Sequence, residues 1–257
     1  MPCNFYNGLK VGDEIWYNLS MDGFIWGGII ILSAVVFMLL QISSGVLITL
    51  YGEKQRGAVP KKRKSIVEGY LTGVWVMILL LLAAVCYLVS NFTAEGKMTS
   101  LQLGVMTALL LLGALTFWLV YYRRDWLGRN RGAELWIPKP AARELAREAK
   151  ECKTAAGGFR LGLVVELLEL PFSVILLFVA ADAILELAPE WQLLVVVLYS
   201  LLAIMPLLFI RFSIKRGKNV EELQRWRENN KTFLRIVTGI GFVVLAAFIY
   251  MFKVIGV

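Results

Sequence analysis

The sequence predicts an all-α, polytopic membrane protein with six transmembrane helices, and three observations carry that prediction. The 257 residues are 58% apolar and 18% charged, with mean hydropathy +0.68, a composition of membrane proteins. Six apolar runs are each long enough to cross a bilayer, and the basic residues fall almost entirely between alternate pairs of those runs.

Residues 1–22 mix Gly8, Gly12, Asp13, Glu14 and Asp22 with Phe5, Tyr6, Trp16 and Tyr17, which reads as an external, interfacial segment. The first run, Phe24 to Tyr51, is longer than a secretory apolar core and has an uncharged-to-acidic start, so it reads as a retained helix and not a cleaved signal. The others are Ser65–Val89, Leu101–Tyr122, Leu161–Leu185, Trp191–Ile210 and Thr232–Phe252. A crossing takes roughly 17–25 residues, and the longer runs are accommodated by tilt.

Orientation follows from charge. Six basic residues lie between Lys54 and Lys64, ten between Arg123 and Arg160, and eight between Arg211 and Arg235, so 24 of the 27 share one side. The other side carries Lys10, Lys97 and Lys253 with Asp13, Glu14, Asp22, Glu95, Glu186 and Glu190. The positive-inside rule then places both termini outside a cytoplasmic membrane. The chain divides into the external segment 1–22, a three-helix half 23–122, a basic cytoplasmic linker 123–160 and a second half 161–257. In the linker, Pro138 and Pro140 precede a helical Arg/Glu/Ala/Lys pattern suited to a solvated surface helix. Asn219–Asn230 is a second such stretch, with Leu223 and Trp226 toward the interface.

The charge of +8 is therefore a topological signal, and nucleic acid is not an expected partner. The expected partners are the bilayer, anionic lipids at the basic loops and a small solute. There is no histidine, and Cys3, Cys86 and Cys152 form no metal-ligand spacing, which argues against metalloenzymes and histidine-dependent hydrolases. No cofactor motif is present, and nothing points to hydrolysis or group transfer.

The exception to apolar spans is Gly162–Ser173. Glu166, Glu169 and Ser173 stand at i, i+3 and i+7 and share one face. Pro171 has no N–H for the carbonyl of Leu167. An acid in a span is costly and usually faces protein or a wet cavity. Counted from Arg160, Glu169 lies about 13.5 Å along the helix, near mid-membrane, where it would bind a cation, an ammonium group or a proton. Glu166 lies a turn shallower and has the weaker claim. Each acid also has a plain structural reading, protonated or bonded to a neighbouring helix. Gln41 and Ser44 form a polar face on the first run, explained by solute contact or by helix–helix hydrogen bonding. Pro206 is a second expected helix break, below Tyr199 and Ser200. Asp182 and Glu186 are expected to be solvated near the outer end, and the eight tryptophans to anchor at membrane boundaries.

Gln41–Ile48 and Glu169–Leu176 align loosely, in runs of opposite direction, as in a 3+3 inverted repeat. With Gly157-Gly-Phe-Arg-Leu-Gly-Leu leading to Glu169-Leu-Pro, and Arg225-Trp-Arg-Glu-Asn-Asn-Lys-Thr-Phe-Leu-Arg before the last run, the chain resembles the lysine-exporter (LysE) superfamily. That group includes the GAP-type transporters and the CcdA/DsbD-type electron carriers. The resemblance is best over Gly157–Tyr250, and it implies a transporter or exporter of a small polar or amphipathic solute. The redox branch carries a cysteine after the proline and another in the first helix. Here Phe172 follows the proline and no cysteine lies near Gln41, which disfavours a redox relay. A non-transporting scaffold or assembly subunit is the main alternative, and acids sealed among helices would favour it.

Overall fold

The computed structural model describes residues 7–44, 60–92, 104–105, 107–115, 147–148, 152, 154–216 and 220–255. Among the described residues the chain is helical, without strands. The helices are α1 (Asn7–Ser44), α2 (Pro60–Phe92), α3 (Ala155–Leu185), α4 (Pro189–Lys215), α5 (Val220–Asn229) and α6 (Lys231–Ile249), the last running into a π-helical turn, Tyr250–Ile255. Among the described residues four spans are long and apolar enough to cross a membrane: Gly23–Ile42, Ser65–Asn91, Pro189–Lys215 and Thr232–Phe252. A fifth apolar helix, α3, is bent by 87° between Ala155–Pro171 and Ser173–Leu185. This is a multi-pass membrane architecture.

The helices coincide with five of the predicted runs. α1 begins at Asn7, so 7–22 continues the first span as helix. Of the Leu101–Tyr122 run, 104–105 and 107–115 are helical and Leu110 is fully buried; the other residues of the run, and most of the linker 123–160, lie outside the described residues. α3 is capped by Thr154, whose hydroxyl accepts from the Gly157 N–H at 3.1 Å, and α4 starts with Pro189, whose missing N–H costs nothing in a first turn.

The most extensive contact is between α2 and α3, and glycine makes it. A Cβ added to Gly69 or Gly73 would strike the backbone of Ala155 or Phe159. One added to Gly158 or Gly162 would strike the backbone of Ile66 or Tyr70. Two Gly-x-x-x-Gly pairs thus interlock so that the helix backbones touch, the close approach small residues permit in membranes. Since Ile66 meets Gly158 and Val74 meets Gly162, α2 and α3 run parallel.

Other contacts give the remaining directions. Glu68–Arg211 and Trp75–Ser200 make α4 antiparallel to α2. Gly28 faces Phe248 and Val36 faces Gly241, so α6 is antiparallel to α1. Trp75, expected at a membrane boundary, instead donates its indole N–H to Ser200 Oγ at 2.9 Å inside the bundle.

Glu68 and Arg211 pair at 2.6 Å with side chains 43% and 32% exposed. Ion pairs this wet contribute about 0–1 kcal/mol. Arg211→Ala should therefore lower thermal stability in detergent by no more than about 1 kcal/mol, and a larger loss would show that the pair is shielded from solvent.

Candidate functional site

Three helices bring polar groups together inside the bundle. Gln41, in the last turn of α1, is 2% exposed, and Glu166 and Glu169 on α3 are 1% and 7% exposed. Gln41 Nε2 donates to Glu166 Oε1. Tyr70 of α2 is fully buried, with its hydroxyl in electrostatic range of both carboxylates, Glu169 first. The glycine seam puts it there, because Tyr70 follows Gly69 and its backbone lies against Gly158 and Gly162. Two atoms of this group, Tyr70 Oη and Glu166 Oε2, have no hydrogen-bond partner among the described residues.

Ser173, 3% exposed, donates to the Glu169 carbonyl at 3.3 Å. That bond lies within its own helix, across the point where Pro171 removes the donor for the Leu167 carbonyl. A hydroxyl substituting in the backbone ladder beside a proline accompanies helix bending, and the 87° turn is located here. The second limb, Ser173–Leu185, is enclosed on nearly all sides, with Leu176, Leu177, Ala180, Ala181 and Ala183 fully buried.

The cluster continues toward α4. Tyr199 is buried 3.4 Å from Ser33 Oγ, edge-on to Phe37, and lies in electrostatic range of Glu166. Ser200 caps the indole of Trp75 and donates to the Val197 carbonyl at 2.8 Å. At Pro206, α4 is not interrupted: it continues as one helix to Lys215. Asp182, expected to be solvated, is 3% exposed in the enclosed limb of α3, because the turn at Pro171 carries that limb into the bundle. The Ser44 and Phe172 side chains lie outside the described residues.

The structure therefore brings together Gln41, Glu166, Glu169 and Ser173, and gives Glu166 the bond across to α1. It adds Tyr70, which the sequence reading missed. The signal for it was present: Gly69-x-x-x-Gly73 and Gly158-x-x-x-Gly162 mark a close helix pair, and Tyr70 sits inside the first. The cluster lies toward the basic end of the bundle. Glu166 and Tyr70 are each six residues, or about 9 Å, beyond the last basic residue of their helices, Arg160 and Lys64.

Chemically this is an oxygen-rich, anion-leaning site. Among the residues whose burial is described, no Lys or Arg is buried, and carboxyls enclosed in a span are costly unless paired, protonated or bound to a cation. No group of three or more Cys, Asp or Glu suited to a metal occurs among the described residues. Cys86 is half-buried on α2, and the buried Cys152 donates its thiol to the Thr154 carbonyl at 3.5 Å. Cys152 lies against Gly157, next to the seam position of Ile66, and Cys86 is twenty residues further along α2, about 30 Å by helical rise. The chain matches no family model, no curated protein and no solved structure.

Proposed function

We propose that the chain is a six-span transporter or exporter of a small polar or amphipathic solute, similar in plan to the LysE superfamily. Its intramembrane acidic site is formed by Glu166 and Glu169 with Gln41 and Tyr70. The observation that carries this reading is the pair of enclosed carboxyls beside the 87° helix break. Ionisable groups inside a span mark pathways, and a broken helix frees backbone carbonyls beside them. Tyr70 Oη and Glu166 Oε2, buried without hydrogen-bond partners among the described residues, suit a site that takes up a proton, water or solute in its working cycle.

The parallel course of α2 and α3 supports six crossings. If both span, an odd number of crossings separates them, and the run 101–122 supplies one. Both helices then start from the basic, cytoplasmic side, and α4 and α6 follow in alternation, with both termini external. That order is the one a 3+3 inverted repeat requires.

The test is flux. Proteoliposomes carrying the full chain and an internal pH dye are challenged with a panel of amino acids and small ammonium compounds. The wild type is expected to move at least one of them, and Glu169→Gln to slow that movement at least about tenfold, the equivalent of one lost interaction of 1.4 kcal/mol. Unchanged flux across pH removes Glu169 from the site.

A scaffold or assembly subunit is the second reading, favoured by how thoroughly Glu166 is sealed. A folded protein that moves no member of the panel, while a cytoplasmic partner co-purifies on its basic loops, supports it. The redox relay has the separation of Cys86 from Cys152 against it.

A further inference from the structure

A second feature lies on another face of α1. Met38 and Ile42, with Met205, Phe209, Phe212 and Trp226, line a cavity of about 1030 Å³ between α1, α4 and α5. That is the upper end of the roughly 300–1,000 Å³ of ligand pockets. None of the acidic cluster lines it. Leu223 and Trp226 of α5 close one side, and Arg225, between them in sequence, is exposed. This is the arrangement of an amphipathic helix lying in the headgroup plane.

The rim is basic. The Arg216 guanidinium stacks over the ring of Phe212, 4.2 Å from its centroid, which holds a cation at the mouth of the groove. Lys215 and Arg225 are exposed and stand within two residues of lining residues in sequence, Glu222 is the acid in the wall, and Arg211 is engaged with Glu68. An apolar trough with Arg216 stacked on Phe212 of its wall fits a ligand with an apolar tail and an anionic head. A cationic amphiphile would meet Arg216, and a polar peptide would leave its backbone unsatisfied against Met, Ile and Phe walls.

We propose that this groove binds an anionic phospholipid, its acyl chain along Met38, Ile42, Met205 and Phe209 and its phosphate at Arg216 and Arg225. The site is separate from the acidic cluster and stands whether or not the protein is a transporter.

The experiment uses the purified full chain in detergent, with native mass spectrometry and thermal unfolding against phosphatidylglycerol and phosphatidylcholine of identical acyl chains. Phosphatidylglycerol is expected to form a one-to-one adduct and raise the melting temperature more than phosphatidylcholine does. Each basic residue near an anionic headgroup contributes about a fivefold preference, so Arg216→Gln with Arg225→Gln should reduce the discrimination about 25-fold. Met205→Trp, at a position half exposed to the groove, should fill the trough and abolish the adduct without changing the lipid-free melting temperature. In the wild type, phosphatidylglycerol with a photoactivatable chain should crosslink to 38–42, 205–213 or 223–226. Equal response to the two lipids, crosslinks elsewhere, or a dimer that Met205→Trp dissociates would each overturn the proposal.

Discussion

Gly162→Leu is expected to leave little folded protein: a fall of about 3 kcal/mol or more in stability, the upper range for overpacking, or no monodisperse peak at all. A Cβ at this position already falls among the Tyr70 carbonyl oxygen, the Val74 nitrogen at 2.8 Å and the Gly73 carbonyl carbon at 3.1 Å. Those are backbone atoms, which cannot rotate aside as a side chain would. Relief requires α2 and α3 to separate, and with them the wall that presents Tyr70 to Glu166 and Glu169. Gly158→Leu should behave alike, since its Cβ would meet the Ile66 carbonyl and the Tyr70 nitrogen. Gly239→Ala is the control. It has open space around its Cβ, and alanine in a helix interior gains up to about 1 kcal/mol over glycine. Thermal unfolding in detergent, read by intrinsic tryptophan fluorescence, checks all three. A Gly162→Leu protein as stable as the wild type would mean that the two backbones are not in contact.

Gln41→Leu is expected to cost about 1–3 kcal/mol, because it removes the donor to Glu166 Oε1 and leaves a carboxyl at 1% exposure with neither oxygen bonded to α1. Glu166→Leu alone should remove the same bond from the other side. The double variant replaces both partners with apolar groups of similar size, which can be nearly neutral. A double-mutant cycle by thermal unfolding should therefore give a coupling of about 1–3 kcal/mol between two positions on different helices. Additive effects would show that the Gln41–Glu166 bond does not form. The same pair separates stability from function: if the double variant folds as well as the wild type but moves no solute, the carboxyl serves transport and not packing.

Much of the architecture is legible in the residues alone. The spans at Gly23–Ile42, Ser65–Asn91, Pro189–Lys215 and Thr232–Phe252 announce themselves by length and hydropathy. The relative directions of α1, α2, α3, α4 and α6 agree with the alternation that the basic loops imply. Glu166, Glu169 and Pro171 stand out because each is costly or irregular in an apolar helix, and cost is visible without coordinates. α5 is legible for the opposite reason: lying between water and apolar surface, Val220–Asn229 must separate its two faces in sequence.

Which face of a span points inward is a different matter. In a soluble helix, water on one side imposes a polar stripe; in a bilayer, lipid and protein interior accept the same residues. Leu176 is fully buried and Leu167 is half exposed on the same helix, yet nothing in their identity separates them. The partner of α3, the enclosure of Asp182, the 87° turn and the place of Tyr70 against the two carboxyls were therefore decided by packing. The sequence determined that the protein has apolar spans, in what order they follow, and which acids they carry. Tertiary structure decided which surfaces meet, because backbone contact between Gly69, Gly73, Gly158 and Gly162 is a property of two helices and not of either one.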